Sequence, residues 1–397
     1  MKLVIFSHPE FLRSQSMPRF ARMLKSAYEA RGHVVTMWSP AGRIHRLFSR
    51  TRYAKWAGYI DQYVLFPLYV RKALKSISPD TLFVFCDQAL GPWVPLVKSR
   101  PHVVHAHDLL ALRSALGDMR ENPTSFTGRI YQRYIRRGFR RARHFISASK
   151  KTRDDLHCFG RVNGISSDVV YNGLNFPYQP TPKHDAQEML RAAGFPHSPN
   201  GALLHVGGGQ WYKNQAGLIA IYAQYVAQEP DPLPLWCVSP QPNAAVQLAL
   251  RKVGRNGRVL FFQNLQGPTL QAAYSYASAF LFPSLEEGFG WPLIEAQACG
   301  CPVITTDAPP MSEVAGDAAI YIPRLRFGAD LDAWASIGAA ALISLLAESA
   351  DARSRRAERS RVWASGFDSD RSTQAYLAIY DKVLGLYLAP GSICHAT

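Results

Sequence analysis

Short apolar runs recur along the chain, separated by longer stretches with helical periodicity. Leu3–Ser7, His33–Trp38, Thr81–Phe85, His102–His105, His144–Ala148 and Asp168–Tyr171 read as buried strands. A basic amphipathic helix is expected near Pro18–Arg31, and Tyr63–Val70 reads as a core helix. Phe176–Pro182 holds three prolines and reads as a linker. A second series of strands follows at Leu203–Gly207, Leu235–Val238, Val259–Phe262, Phe280–Pro283, Val303–Thr305 and Ala319–Ile322, and Ser372–Leu388 reads as the last helix. Strands alternating with helices predict an α/β fold with parallel sheets covered on both faces.

The richest segment is Pro283–Ile304. An apolar strand end, Ala279–Pro283, runs into a loop carrying Gly288 and Gly290, which permit a sharp turn and close approach to a ligand. Pro292 suits a first helical turn, while Gly300 and Pro302 suit a stop, so a helix is predicted over Trp291–Cys299. Its N-terminus faces the glycine loop and forms an anion site. Glu287 lies in that loop and Glu295 one turn into the helix. A carboxylate is repelled by phosphate but accepts hydrogen bonds from vicinal hydroxyls, so sugar and ribose rings are the matching partners. On spacing alone, the alternative stands that Glu287 is a solvated loop residue and Glu295 a buried structural one.

This segment resembles the retaining GT-B glycosyltransferases of family 4 type (glycosyl transferases group 1). Glu287-Gly288-Phe289-Gly290, then Glu295-Ala296-Gln297-Ala298-Cys299-Gly300-Cys301-Pro302-Val303, matches their two glutamates with seven residues between them. The likeness extends to Ser312–Ala319, to Leu204–Asn214 and to Val169–Asn175. It implies two Rossmann-like, doubly wound parallel-sheet domains facing a central cleft. Residues 1–176 would form the acceptor domain and residues 183–371 the nucleotide-sugar domain. The C-terminal helix, about 372–397, would pack back onto the first domain. The resemblance also implies donor contacts from Gly207, Gly208, Lys213, Gly288, Phe289, Gly290 and Glu295. It gives Lys213 the donor diphosphate, Glu287 the sugar hydroxyls, Glu295 the ribose and His107 a contact near the reacting carbon. The arginine that usually aids the lysine is missing among Gly208, Trp211 and Tyr212, so backbone N–H groups of Gly207–Gly209 are expected to share the phosphate charge.

Other motifs read more weakly. A metal site from His105, His107 and Asp108 competes with the sugar-contact reading, but three ligands crowded at one strand end rarely converge. Asp368-Ser369-Asp370 has metal-binding spacing yet lacks a flanking strand, and Asp370 reads as an N-cap. The loop His8–Pro18 contains no glycine, leaving Ser14 and Ser16 as weak candidates for acceptor chemistry.

Charge changes the picture. Residues 1–180 hold 29 Lys/Arg and 11 Asp/Glu, a balance of 29 − 11 = +18, while residues 181–397 hold 16 and 18, or −2. Arg129, Arg133, Arg136, Arg137, Arg140, Arg141 and Arg143 cluster on one expected helix, with Ile130, Tyr134 and Phe139 helping to form its other face. Arg43, Arg46, Arg50, Arg52 and Lys55 precede Trp56 and Tyr59. Such patches suit an anionic membrane surface, against the alternative of a solvated basic face. The six cysteines show no paired metal spacing, Cys299 and Cys301 read as buried packing residues, and a reduced cytoplasmic setting is expected, with no secretion signal and no membrane-spanning run.

The expectation is therefore a metal-independent, cofactor-free transferase. It would move a sugar from a nucleotide-sugar donor to a glycan or lipid-linked acceptor in bacterial surface polysaccharide assembly. It would be cytoplasmic, peripheral on the inner face of the plasma membrane. A sugar-nucleotide epimerase of the same fold is the enzymatic rival. A nucleic-acid-binding protein is the non-enzymatic one, which leaves the double-glutamate segment and the −2 half unexplained.

Overall fold

The computed structural model describes residues 1–12 and 16–388. Two compact units emerge. The first comprises residues 1–119, 123–171 and the chain from Asp370 onward; the second comprises residues 120–122 and 172–369.

The first unit is built on strands β1 (Lys2–Phe6), β2 (Val34–Trp38), β3 (Thr81–Phe85), β4 (His102–Ala106), β5 (His144–Ser147) and β6 (Ser166–Val169). All are parallel, in the order β2-β1-β3-β4-β5-β6. Its helices are α1 (Ser16–Glu29), α2 (Arg43–Phe48), α3 (Ala54–Ile60), α4 (Phe66–Ala73), α5 (Leu110–Leu116), α6 (Phe126–Phe139) and α7 (Lys150–Asp155). The second unit carries α8 (Lys183–Ala192), β7 (Leu203–Val206), α9 (Gln215–Val226), β8 (Leu235–Val238), α10 (Ala244–Leu250) and β9 (Val259–Phe262). It continues with α11 (Gly267–Tyr276), β10 (Ala279–Phe282), α12 (Trp291–Ala298), β11 (Val303–Thr306), α13 (Met311–Ala315), β12 (Ile320–Ile322), α14 (Leu331–Leu346) and α15 (Ala350–Ala364). Its parallel order is β12-β11-β10-β7-β8-β9. Counted from β7 this is the doubly wound 3-2-1-4-5-6 arrangement, whose switch point lies between β7 and β10.

The strands form because each is an unbroken apolar run able to bury both faces, as in β3 and β10, every residue of which is buried. The final helix α16 (Ser369–Leu388) buries Tyr376, Tyr380, Val383 and Leu384 in the first unit's core. Tyr380 binds there through its hydroxyl, 3.2 Å from that of Tyr28 and 2.6 Å from His105 Nε2, which commits His105 to the core. Residues 389–397 of the expected C-terminal helix, and Ser14, lie outside the described residues, as does the Ser16 side chain.

Three expectations are corrected. Asp370 is not an N-cap: it sits inside the first turn of α16 and pairs with Arg31 at 2.9 Å. Tyr63–Val70 is not one core helix. A π-turn at Asp61–Leu65 breaks into α4, and only Phe66 and Val70 of the α4 portion are buried, while Val64, Leu68 and Tyr69 are exposed. Ile130 and Tyr134 do not lie on the buried face of α6. That face is Ile135, Gly138 and Phe139, whereas Ile130 and Tyr134 stand exposed among the arginines. Gly138 brings α6 against the segment Gln88–Val97 so closely that a Cβ there would lie 2.2 Å from the Gly91 carbonyl oxygen. Among the described residues no single helix is long and apolar enough to cross a membrane.

Candidate functional site

In a doubly wound sheet, ligands bind beyond the carboxyl ends of the strands at the switch point. The loops leaving β7 and β10 occupy that place in the second unit, and they carry the two motifs read from the sequence. After β7, Gly207–Gln210 leads into a 3₁₀ turn, Trp211–Lys213, and then Asn214. Asn214 takes a left-handed conformation (φ 51°), caps α9 through Gly217 N–H, and donates its amide to the Pro283 carbonyl at 3.1 Å. The Leu285 N–H donates to the Tyr212 carbonyl at 2.7 Å. These two bonds fasten the lysine loop to the glutamate loop.

The fastening sets Lys213 Nζ 2.7 Å from Glu287 Oε1, with side chains only 12% and 8% exposed. Ser284 Oγ donates to the same oxygen at 2.9 Å. Both partners use Oε1; among the described residues Glu287 Oε2 has none. The ammonium also lies 4.8 Å above the Phe282 ring, an aromatic floor that keeps it aligned. The site thus holds an ammonium with unspent N–H donors beside a carboxylate oxygen able to accept.

Glu295 is engaged differently. It is buried, and its Oε2 accepts from the hydroxyl of fully buried Tyr274 at 2.9 Å. Burial and the neighbouring Glu295 charge raise the Tyr274 phenol well above its ordinary value, so it stays a donor. Phe289 is buried and Gly288 half-exposed. The positive φ of the turn belongs to Gly290 (99°), which directly precedes α12. Trp291 at the first position of α12 donates its indole N–H to the Gly173 carbonyl at 2.9 Å, tying in the stretch that follows β6.

Two expectations about phosphate donors are narrowed. Gly207 N–H is committed to the Val238 carbonyl at 3.1 Å, so within the glycine turn only the amides of Gly208 and Gly209 remain to be offered. At the tip of α12, Pro292 has no N–H and Leu293 N–H returns to the Gly290 carbonyl at 3.0 Å. The tip contributes its dipole more than a ring of amides. Two buried groups beside Lys213 went unnoticed in the sequence. Among the described residues Gln215 Nε2 has no hydrogen-bond partner, and neither has His205 Nε2, whose ring is fixed by Nδ1 on the Leu281 carbonyl at 2.9 Å. Burial, aided by the Lys213 charge, pushes the His205 imidazole down to about 4, so it is neutral near pH 7. Arg324 was also missed. Its Nε donates to the Leu285 carbonyl at 2.8 Å, and its Nη2 meets Glu121 at 3.1 Å and Glu286 at 3.5 Å. It braces the glutamate loop from behind, with its charge spent on two carboxylates.

His107 belongs to the first unit and directly follows β4, which ends one residue before it. It is buried, its Nε2 donates to the Cys86 carbonyl at 3.0 Å, and its own N–H donates to Gln88 Oε1 at 3.1 Å. Burial lowers its pKa against the opposing pull of Asp87. Asp87, unnoticed in the sequence, pairs with His8 Nε2 at 2.8 Å, joining the loops after β1 and β3 at that sheet's own switch point.

Comparison with known proteins decides the family. The model of Glycosyltransferase Family 4 matches residues 17–176, and that of Glycosyl transferases group 1 matches residues 200–338. The chain belongs to the family 4, group 1 glycosyltransferases. The O-antigen chain mannosyltransferase RfbU of Salmonella typhimurium is 26% identical over 201 residues, which is 50% of this chain and 52% of that protein. The chain spans about half the length of the curated relatives it matches, or less. Among solved structures, sucrose-phosphate synthase from Thermosynechococcus elongatus superposes with a TM-score of 0.72 at 18% identity, covering 97% of this chain and 99% of that one. Anabaena Alr3699/HepE, in complex with UDP and glucose, gives 0.64 at 16% identity, over 96% and 100%. These neighbours place this family 4 member in the GT-B fold.

Proposed function

We propose that this family member transfers a hexosyl group from a nucleotide-sugar donor to an acceptor hydroxyl with retention at the anomeric carbon. The observation that carries the reading is the Lys213–Glu287 pair at the switch point, with Glu287 Oε2 unengaged. Lys213 meets the donor diphosphate as a point charge and stabilises the negative charge that grows as the sugar departs. The amides of Gly208 and Gly209 and the unpartnered Gln215 amide share that charge. Glu287 accepts hydrogen bonds from sugar hydroxyls, and Glu295, oriented by Tyr274, accepts from the ribose. His107 is assigned a contact near the reacting carbon. The leaving phosphate takes the acceptor proton, and no step calls for a metal or cofactor.

The RfbU likeness supports an acceptor in surface-glycan assembly, and the UDP and glucose bound by HepE support a nucleotide-sugar donor. The exposed Trp56, Leu68 and Tyr69 among the basic residues of α2 to α4 support peripheral attachment to the anionic inner face of the plasma membrane. The experiment is a thermal-shift screen of nucleoside diphosphates and their sugars on wild type and Lys213→Ala, followed by turnover with and without acceptor. A nucleotide sugar should raise the melting temperature of wild type only, and nucleoside diphosphate release should require acceptor. Equal shifts in both proteins would remove Lys213 from the site; epimerised donor without acceptor would establish the rival enzyme.

A further inference from the structure

We propose that the outer face of α6 forms a binding site for a diphosphate or oligophosphate group, carried by a lipid or free in solution. Arg133, Arg136, Arg137, Arg140 and Arg141 line a concavity of about 460 Å³. No Asp or Glu occurs between residues 122 and 153, and among the described residues no carboxylate pairs with any of the five. The nearby acids are spent elsewhere: Asp155 on Arg113 and Lys151, and Asp154 on Arg153.

Two of the five arginines are held by the backbone. Arg136 Nε donates to the Gly160 carbonyl at 3.3 Å and Arg140 Nε to the Arg161 carbonyl at 2.9 Å. Each is fastened by one edge of the guanidinium, which leaves the Nη fork for a ligand. The helix beneath is seated against Gly91 through Gly138, so the pocket has a firm base. Crowding has a cost that is visible at Arg136: burial, then the charges of Arg161 and Arg140, lower its pKa. A compact, multiply charged anion relieves that crowding, and bidentate guanidinium contacts match phosphate oxygens. A single carboxylate is too weakly charged for five arginines. A nucleic-acid strand needs a track along the surface and not one pocket.

The pocket belongs to the first unit and shares no residue with the Lys213–Glu287 site, so the two readings fail separately. The full chain and its Arg137→Gln/Arg141→Gln variant are titrated with inorganic pyrophosphate, orthophosphate and acetate, and with nucleoside diphosphate as the donor-site control. Wild type should bind pyrophosphate at least tenfold more tightly than orthophosphate. The variant should lose tenfold or more of that affinity and keep its nucleoside diphosphate affinity. In a second arm, phosphatidylcholine vesicles bearing a lipid diphosphate are compared with vesicles matched in charge by phosphatidylserine. Preference for the lipid diphosphate, displaced by pyrophosphate, identifies a headgroup; pyrophosphate binding without that preference identifies a free anion. Unchanged pyrophosphate affinity in the variant overturns the site, as does equal binding of all the anions. Tighter competition by single-stranded RNA than by pyrophosphate would make it a nucleic-acid surface instead.

Discussion

Arg324 in the second unit and Arg137 in the first show two uses of the same side chain. Arg324 is half-buried, faces two carboxylates and a carbonyl, and serves to brace a loop. Arg137 is exposed, lines a pocket with four other arginines, and meets no carboxylate among the described residues. Pairing is not confined to one unit: Arg356 and Arg361 of the second are paired with glutamates on their own helix or its lead-in, and Arg31 and Arg113 of the first are paired with aspartates. Arg324, its charge met by acids, serves the fold; the α6 row, its charges unmet and gathered in one concavity, is the part proposed to take a ligand.

The comparison is most severely tested at Lys213, which is both paired and expected to bind ligand. Lys213→Ala should lower transfer by on the order of 100-fold or more, as loss of a charge stabiliser does. Glu287→Ala should do likewise, and the double variant should lose less than the product of the two, because each removes the other's partner. Additive losses, read from steady-state rates, would mean that the two side chains act separately. For stability, Arg324→Ala should cost about 2–3 kcal/mol, since it removes the guanidinium that meets Glu121, Glu286 and the Leu285 carbonyl in a partly buried setting. Arg137→Gln should change stability by no more than about 0.5 kcal/mol. Urea unfolding of both variants checks the contrast, and a large loss at Arg137 would break it.

Acid brings out a property that the units share. His102 in the first unit and His205 in the second are both pushed down to about 4, by burial above all. The unfolded chain takes up these protons from about pH 6.5, the folded chain only near 4, so stability falls as pH drops through that window. At full titration each contributes up to about 3 kcal/mol. Denaturant midpoints flat between pH 6.5 and 4 would contradict the buried neutral state. A smaller effect is expected of Tyr274→Phe, about 1 kcal/mol of stability and a matching loss of donor affinity through a less firmly held Glu295.

Much of the fold is legible in the chain because buried parallel strands are continuous apolar runs. Each of the twelve strands lies within two residues of its expected place, with β6 displaced furthest. Helix ends marked by special residues also read well: Pro292 and Gly300 bracket α12. The faces of α6 did not read, because tyrosine and isoleucine suit either environment and only packing against Gln88–Val97 decides which side is buried. Within the site, residue types were legible and pairings were not. Lys213 meets Glu287 only because Asn214 and Leu285 lace two loops together across the switch point. Tyr274 and Arg324 lie on elements with no motif of their own, and only their partners give them a role.

The seating of Gly138 against Gly91 has a consequence for the arginines above it. A methyl group at position 138 would act as a shim under α6, tilting the whole row outward without altering a single charge. The electrostatics of that surface are thus set as much by a missing side chain underneath as by the guanidinium groups on top.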